Sequence, residues 1–129
     1  MTEVRVLQLI WLAFQLTPLL LAFLAFGGPL PPPPPGDVTI IAALGAAAFM
    51  TGAFGIVGVP LLLRGVAAQS AFIVRFACAE TVGVLGLVAH ISGASMPVVA
   101  SFLGISFGLT LILRPTERSY THWEVRRLS

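Results

Sequence analysis

Four long apolar runs, at residues 6–26, 38–63, 71–91 and 97–113, constrain this chain more than any other feature. A helix crosses the hydrocarbon core of a bilayer with about 20 apolar residues, and roughly 17–25 are tolerated. The first and third runs fit that length. At 1.5 Å rise per residue the second reaches about 39 Å and must tilt or protrude, while the fourth, near 25 Å, is close to the minimum. The runs are continuous rather than alternating and are rich in Ala, Leu and Gly, which disfavours barrel strands. Composition agrees. Charged residues make up 9% of the 129, where a soluble domain carries about a quarter, and mean hydropathy is +1.00. The expected fold is all-α: a single integral membrane domain, a four-helix transmembrane bundle.

Arginine placement predicts the orientation. Arg5 precedes the first run, Arg64 and Arg75 flank the connection between the second and third, and Arg114, Arg118, Arg126 and Arg127 follow the fourth. The other two connections contain none. Four spans put all seven on one side, which the positive-inside rule makes cytoplasmic. Both termini are then inside, most simply at a plasma membrane such as the bacterial inner membrane. The first run is expected to stay as a span rather than act as a cleaved signal. It exceeds the usual 7–15 apolar residues, is interrupted by Gln8, Gln15 and Pro18, and has no convincing small-x-small cleavage site before the prolines.

Several functions are disfavoured. A net charge of +2 without a single lysine is too small and dispersed for a nucleic-acid surface. One cysteine, Cys78, forms no internal disulfide. No Cys or His spacing suggests a metal site, and with His90 and His122 as the only histidines a bis-histidine haem is not expected. No cofactor is implied. Nucleotide motifs and nucleophile constellations are missing, so an enzyme is not expected.

The outer connection, residues 29–36, carries a proline run at residues 31–35. A polyproline helix rises about 3.1 Å per residue, so the run is a stiff strut of about 15 Å. A strut setting the spacing of two helices is preferred here to a ligand for an aromatic groove. The basic tail, residues 114–129, mixes arginines with Tyr120, Trp123 and Leu128 and reads as a cytoplasmic anchor at headgroup level.

Small residues mark the packing faces. Gly45, Gly52, Gly55 and Gly58 recur in the second run, Gly83 and Gly86 in the third, and Gly104 and Gly108 form a small-xxx-small pair in the fourth. In lipid, helices associate through close backbone approach rather than apolar burial. These glycines are therefore expected to pack the bundle or to mediate self-association.

Glu80 is the one residue that argues for chemistry. It lies nine residues beyond Ala71, about 13 Å along the helix and well inside the hydrocarbon. An ionised side chain at the centre of a span costs roughly 2.5–3.5 kcal/mol on insertion scales. Its hydrogen-bonding capacity has to be met inside protein. Counted from the same end, Gln15 and Ser106 fall at similar depth. The expected cluster is Glu80 held by Gln15 and Ser106, with Gly55 giving room for the approach. Arg75, five residues from Glu80, is about 140° away around the axis and is expected to snorkel to the headgroups. Pro18 and Pro60 are expected to bend their helices.

The stretch over residues 40–91 resembles the proteolipid (c) subunit of rotary ATP synthases and vacuolar-type ATPases. It shares a glycine-rich helix, Gly45-Ala-Ala-Ala-Phe-Met-Thr-Gly-Ala-Phe-Gly-Ile-Val-Gly58. A polar connection follows, then a helix carrying a carboxylate with Gly-Leu-Val beyond it, Ala79-Glu80-Thr-Val-Gly-Val-Leu-Gly86-Leu87-Val88. The resemblance implies that Glu80 is a proton- or sodium-binding carboxylate. It covers about two-fifths of the chain. The family's Arg-Gln-Pro loop is absent, since Arg64 and Gln69 stand apart without the proline.

Two readings follow. One is a non-catalytic structural or assembly subunit of a larger membrane complex, in contact with lipid and with other membrane subunits or copies of itself. The other is a proton- or cation-binding translocation subunit using Glu80.

Overall fold

A computed structural model describes residues 2–27 and 34–129. Among them the chain is all-helical, with five helices. Helix α1 is Glu3–Phe26, α2 is Val38–Leu62, α3 is Ala68–Ile91, α4 is Met96–Ile112 and α5 is Glu117–Leu128. The first three are each long and apolar enough to cross a membrane. The fourth has 17 residues, about 25 Å, and the chain then bends by 76° into α5, so three to four spans are available. Of the proline run only Pro34 and Pro35 fall within the described residues.

Polar side chains set the starts of α1 and α2. Thr2 accepts from the Arg5 amide to open α1, and Asp37 accepts from the Thr39 amide at 2.8 Å to open α2. Each satisfies a donor that a first helical turn leaves without a partner.

Helix α3 is the centre of the assembly and packs against α1, α2 and α4. Its small residues allow the approach. A Cβ on Gly86 would lie 2.6 Å from Cβ of Phe102, one on Gly83 2.8 Å from Oγ of Ser106, and one on Gly55 of α2 2.9 Å from Cβ of Cys78. Gly52 meets Leu109 and Val82. These four lie at close contacts between helices. The other four make no such contact within the chain: Gly58 only faces Phe54 of its own helix, and Gly45, Gly104 and Gly108 have nothing within 4 Å. Gly104 is exposed, whereas Gly45 lines a gap between α2 and α4.

Helix α2 is not regular throughout. At Phe54–Gly58 it widens into a π turn, where the Val59 amide reaches back five residues to the Phe54 carbonyl. Pro60 is the cause. It has no N–H, and its ring crowds the carbonyl four residues earlier, so the helix takes an extra residue into one turn. In that register the Gly55 carbonyl faces Pro60 and finds no backbone donor.

The connections pair off at opposite ends. At one end the Gly36 amide donates to the Gly93 carbonyl at 3.1 Å, and Gly93 adopts φ +89°, a conformation that glycine reaches without strain. At the other, the Gln8 amide donates to the Pro115 carbonyl at 3.2 Å and the Tyr120 hydroxyl donates to the Glu3 carboxylate. Both described termini and the α2–α3 connection therefore share one end.

The tail differs from the sequence expectation. Residues 117–128 form a helix, started by reciprocal hydrogen bonds between Thr116 and Ser119. Trp123 turns toward protein rather than lipid headgroups, donating from its indole to the Val66 carbonyl at 2.9 Å. One turn of helix also places Glu124 on the α3 start, where it accepts from the Ala68 amide at 2.8 Å.

Candidate functional site

Glu80 is the thirteenth of the 24 residues of α3, so it stands at mid-helix. Its neighbour Ala79 is fully enclosed, and the Ala79 carbonyl accepts from the Ser106 hydroxyl of α4 at 2.7 Å. One residue along a helix turns the side chain by about 100°. That step takes Glu80 off the α4-facing stripe of Ala79, Gly83 and Gly86 and leaves it half-buried.

No hydrogen bond or ion pair from the described residues reaches the Glu80 carboxyl. The expected cluster of Glu80, Gln15 and Ser106 is therefore not hydrogen-bonded. Ser106 does come to α3 at the right depth, but its proton goes to the Ala79 backbone. Thr110 in turn donates to the Ser106 carbonyl at 2.7 Å.

Gln15 lies on a different seam. Gln8, Trp11 and Gln15 are spaced by three and four residues and share a face of α1. That face meets α4: Gln8 bonds the Pro115 carbonyl, and the Trp11 indole donates to the Thr110 carbonyl at 2.6 Å. The α3-facing side of α1 is marked instead by Phe14, whose ring centroid is 5.7 Å from that of Phe76, and by Leu21 against Gly83. Both polar atoms of the Gln15 side chain are enclosed and without a partner. Depth along the membrane was readable from residue counts; azimuth depended on which face of α1 each neighbour takes.

Gly55 does not make room for Glu80. It faces Cys78 and Arg75, and the Arg75 Nε donates to its carbonyl at 2.9 Å. Arg75 also lies with its guanidinium carbon 5.8 Å from the Phe72 ring centre. It thus serves α2 directly, a role that the expectation of a free snorkelling side chain overlooked. The signal was present in the proline five residues beyond Gly55.

His90 is buried at the far end of α3, with Nδ1 lacking a partner. At the opposite end, outside the spans, two groups titrate away from their ordinary values. The hydrogen bond to Glu3, then partial burial and the charge of Glu3, push the Tyr120 phenol up to about 12. The Ala68 amide, followed by Arg127, lowers the Glu124 carboxyl. Arg127 pairs with Glu124 at 2.7 Å.

Chemically, the centre offers one partly exposed glutamate on a packed helix. Among the described residues no three His, Cys, Asp or Glu side chains converge. No family model, curated protein or solved structure matches the chain.

Proposed function

We propose that this membrane protein is a non-catalytic structural or assembly subunit of a larger membrane complex, docked through the Glu80 side of α3. One observation carries the reading: Glu80, at mid-span, is partly exposed and its carboxyl takes no hydrogen bond from the described residues. In lipid a polar group left without a partner costs several kcal/mol. A neighbouring chain that donates to Glu80 removes that cost and gains specificity. The faces at Gly104 and Gly108, with nothing of the chain within 4 Å, support further close contacts of the small-residue kind.

In this reading the protein lies in a plasma membrane, with both termini cytoplasmic. Arg5, Arg64, Arg114, Arg118, Arg126 and Arg127 belong to the end where Glu3 meets Tyr120, and the positive-inside rule assigns that end.

The second reading makes Glu80 a proton- or cation-binding carboxylate, as the resemblance of residues 40–91 to proteolipid subunits implies. The same partial exposure favours it, since an exchanging ion must reach the carboxyl from the side.

Glu80→Gln and Glu80→Leu in the full-length protein separate the two. A docking role predicts that Gln, which keeps hydrogen-bonding capacity, retains the detergent-extracted complex on a native gel and that Leu loses it. A carrier predicts loss of proton flux and of carbodiimide labelling with Gln alone. Intact complexes in both variants would overturn the docking role.

A further inference from the structure

Helices α2 and α4 meet only sparsely, and between them runs an apolar groove of about 630 Å³. Its floor is Val82 of α3, with Gly45, Phe49 and Ala53 on one wall and Ser101 and Ile105 on the other. The one hydroxyl among these side chains, Ser101, is spent on the Pro97 carbonyl of its own helix at 2.8 Å. The lining therefore asks for an occupant without polar atoms. The volume lies within the 300–1,000 Å³ typical of ligand sites. The lining of α2 runs from Gly45 to Val57, about 18 Å at helical rise. One leaflet of the hydrocarbon core is about 15 Å deep. The groove has the length of a single acyl chain.

A charge stands at one end of it. Arg75 precedes Val82 by seven residues, so it shares the face of α3 that makes the floor, about 10 Å nearer the end that holds both termini. Its Nε is fixed on Gly55, which sits between the lining residues Gly52 and Ile56. Among the described residues the terminal nitrogens of the guanidinium make no hydrogen bond, its only other neighbour being the Phe72 ring, and the one salt bridge found there joins Arg127 to Glu124. Glu80, the nearest acid in sequence, lies about 140° around the helix. An unpaired cation inside a span calls for an anion, and a guanidinium suits phosphate through two parallel donors.

We propose that the α2–α4 groove is a binding site for an anionic phospholipid. One acyl chain lies over Val82, and the phosphate takes the free nitrogens of Arg75. Arg75 is held at the Gly55 level of the groove, so the headgroup has to sink toward it along the α2–α4 gap. The site rests on the helices lying in a bilayer and is independent of what Glu80 contacts.

The test is native mass spectrometry of the full chain released from nanodiscs of phosphatidylglycerol or phosphatidylcholine. Wild-type protein should retain one phosphatidylglycerol in preference to phosphatidylcholine, by roughly fivefold for one arginine at the membrane surface. Arg75→Gln should abolish the preference while still retaining either lipid. The double variant Gly45→Leu with Ala53→Leu fills the groove from a face where Gly45 has open space, and should reduce retention of both lipids alike. Thermal melts of each variant report whether it is folded. Equal retention of the two lipids by wild-type protein would overturn the site. So would a preference that survives both variants, or lipid-free dimers that disappear when the groove is filled.

Discussion

The Nε of Arg75 donates to the carbonyl of Gly55 at 2.9 Å, joining α3 to the π turn of α2. The bond repairs a defect that Pro60 creates, because the Gly55 carbonyl has lost its backbone donor. Removing a hydrogen bond to a charged group costs about 1.5–3 kcal/mol, so Arg75→Met should lower stability by that amount. Pro60→Ala returns an N–H to α2, and in that background Arg75→Met should cost at least about 1 kcal/mol less. Reversible unfolding in mixed micelles measures the cycle. Equal costs in both backgrounds would show that proline and arginine are not coupled.

The glycines divide into two sets with opposite predicted responses. Gly83→Ala and Gly86→Ala would bring a methyl to 2.8 Å from Ser106 Oγ and 2.6 Å from Phe102 Cβ. Both contacts lie close to the α4 backbone, so the helices must part, at about 1–3 kcal/mol for each overpacked site. Gly45→Ala and Gly104→Ala meet nothing and should gain up to about 1 kcal/mol from helix propensity. Melting temperatures of the purified monomer should move down for the first pair and stay or rise for the second. Native gels should show whether the second pair instead disturbs an assembly.

Much of this architecture was legible because lipid imposes strong rules. Continuous apolar runs fixed the helices to within a few residues, with α3 starting at Ala68 rather than Ala71. Residue counts put Ser106 at the level of Glu80, but its hydroxyl bonds the Ala79 carbonyl. What could not be read was rotation about each axis. Gln15 and Phe14 are adjacent in sequence, yet Phe14 packs on Phe76 of α3 while the Gln15 side chain is enclosed without a polar partner, and no hydropathy pattern marks the difference when every face is apolar. The tail was misread for another reason. Trp123 and Glu124 suit headgroups as well as a protein surface, and only the Ala68 amide, free at a helix start, decides between them. The cue that sequence did hold was the Thr116–Ser119 cap.

Docking of α5 should weaken in acid. Glu124 titrates below its ordinary value of 4.5 because the folded chain stabilises its charged form, chiefly through the Ala68 amide. A lowered carboxyl contributes stability that is fully present above the unfolded value and is lost as pH falls through the folded one. Trp123, adjacent in the helix, should then show a red-shifted emission as pH drops below about 4.5, a change absent near neutrality. Glu124→Gln should bring the same emission at pH 7. Tyr120 works in the other direction: its contribution is intact below pH 10 and fades as pH rises toward 12.

Contacts at the two ends of the bundle make a topological prediction. Gly36 bonds Gly93 at one end, while Glu3, Val66 and Ala68 all meet α5 at the other. With Cys78 replaced by serine, single cysteines at Pro35 or Ser95 report the first end. Cysteines at Gly65 or Ser129 report the second. In intact cells a membrane-impermeant maleimide should label only the Pro35 and Ser95 variants, and permeabilisation should be needed for the Gly65 and Ser129 variants. The direction follows from the six arginines at the second end, since translocating each across the bilayer is opposed by the membrane potential. Labelling of Gly65 and Ser129 variants from opposite sides would mean an odd number of crossings between them. Helix α4 would then lie outside the bilayer or enter and leave on one side, and the α2–α4 groove would no longer face acyl chains along its length.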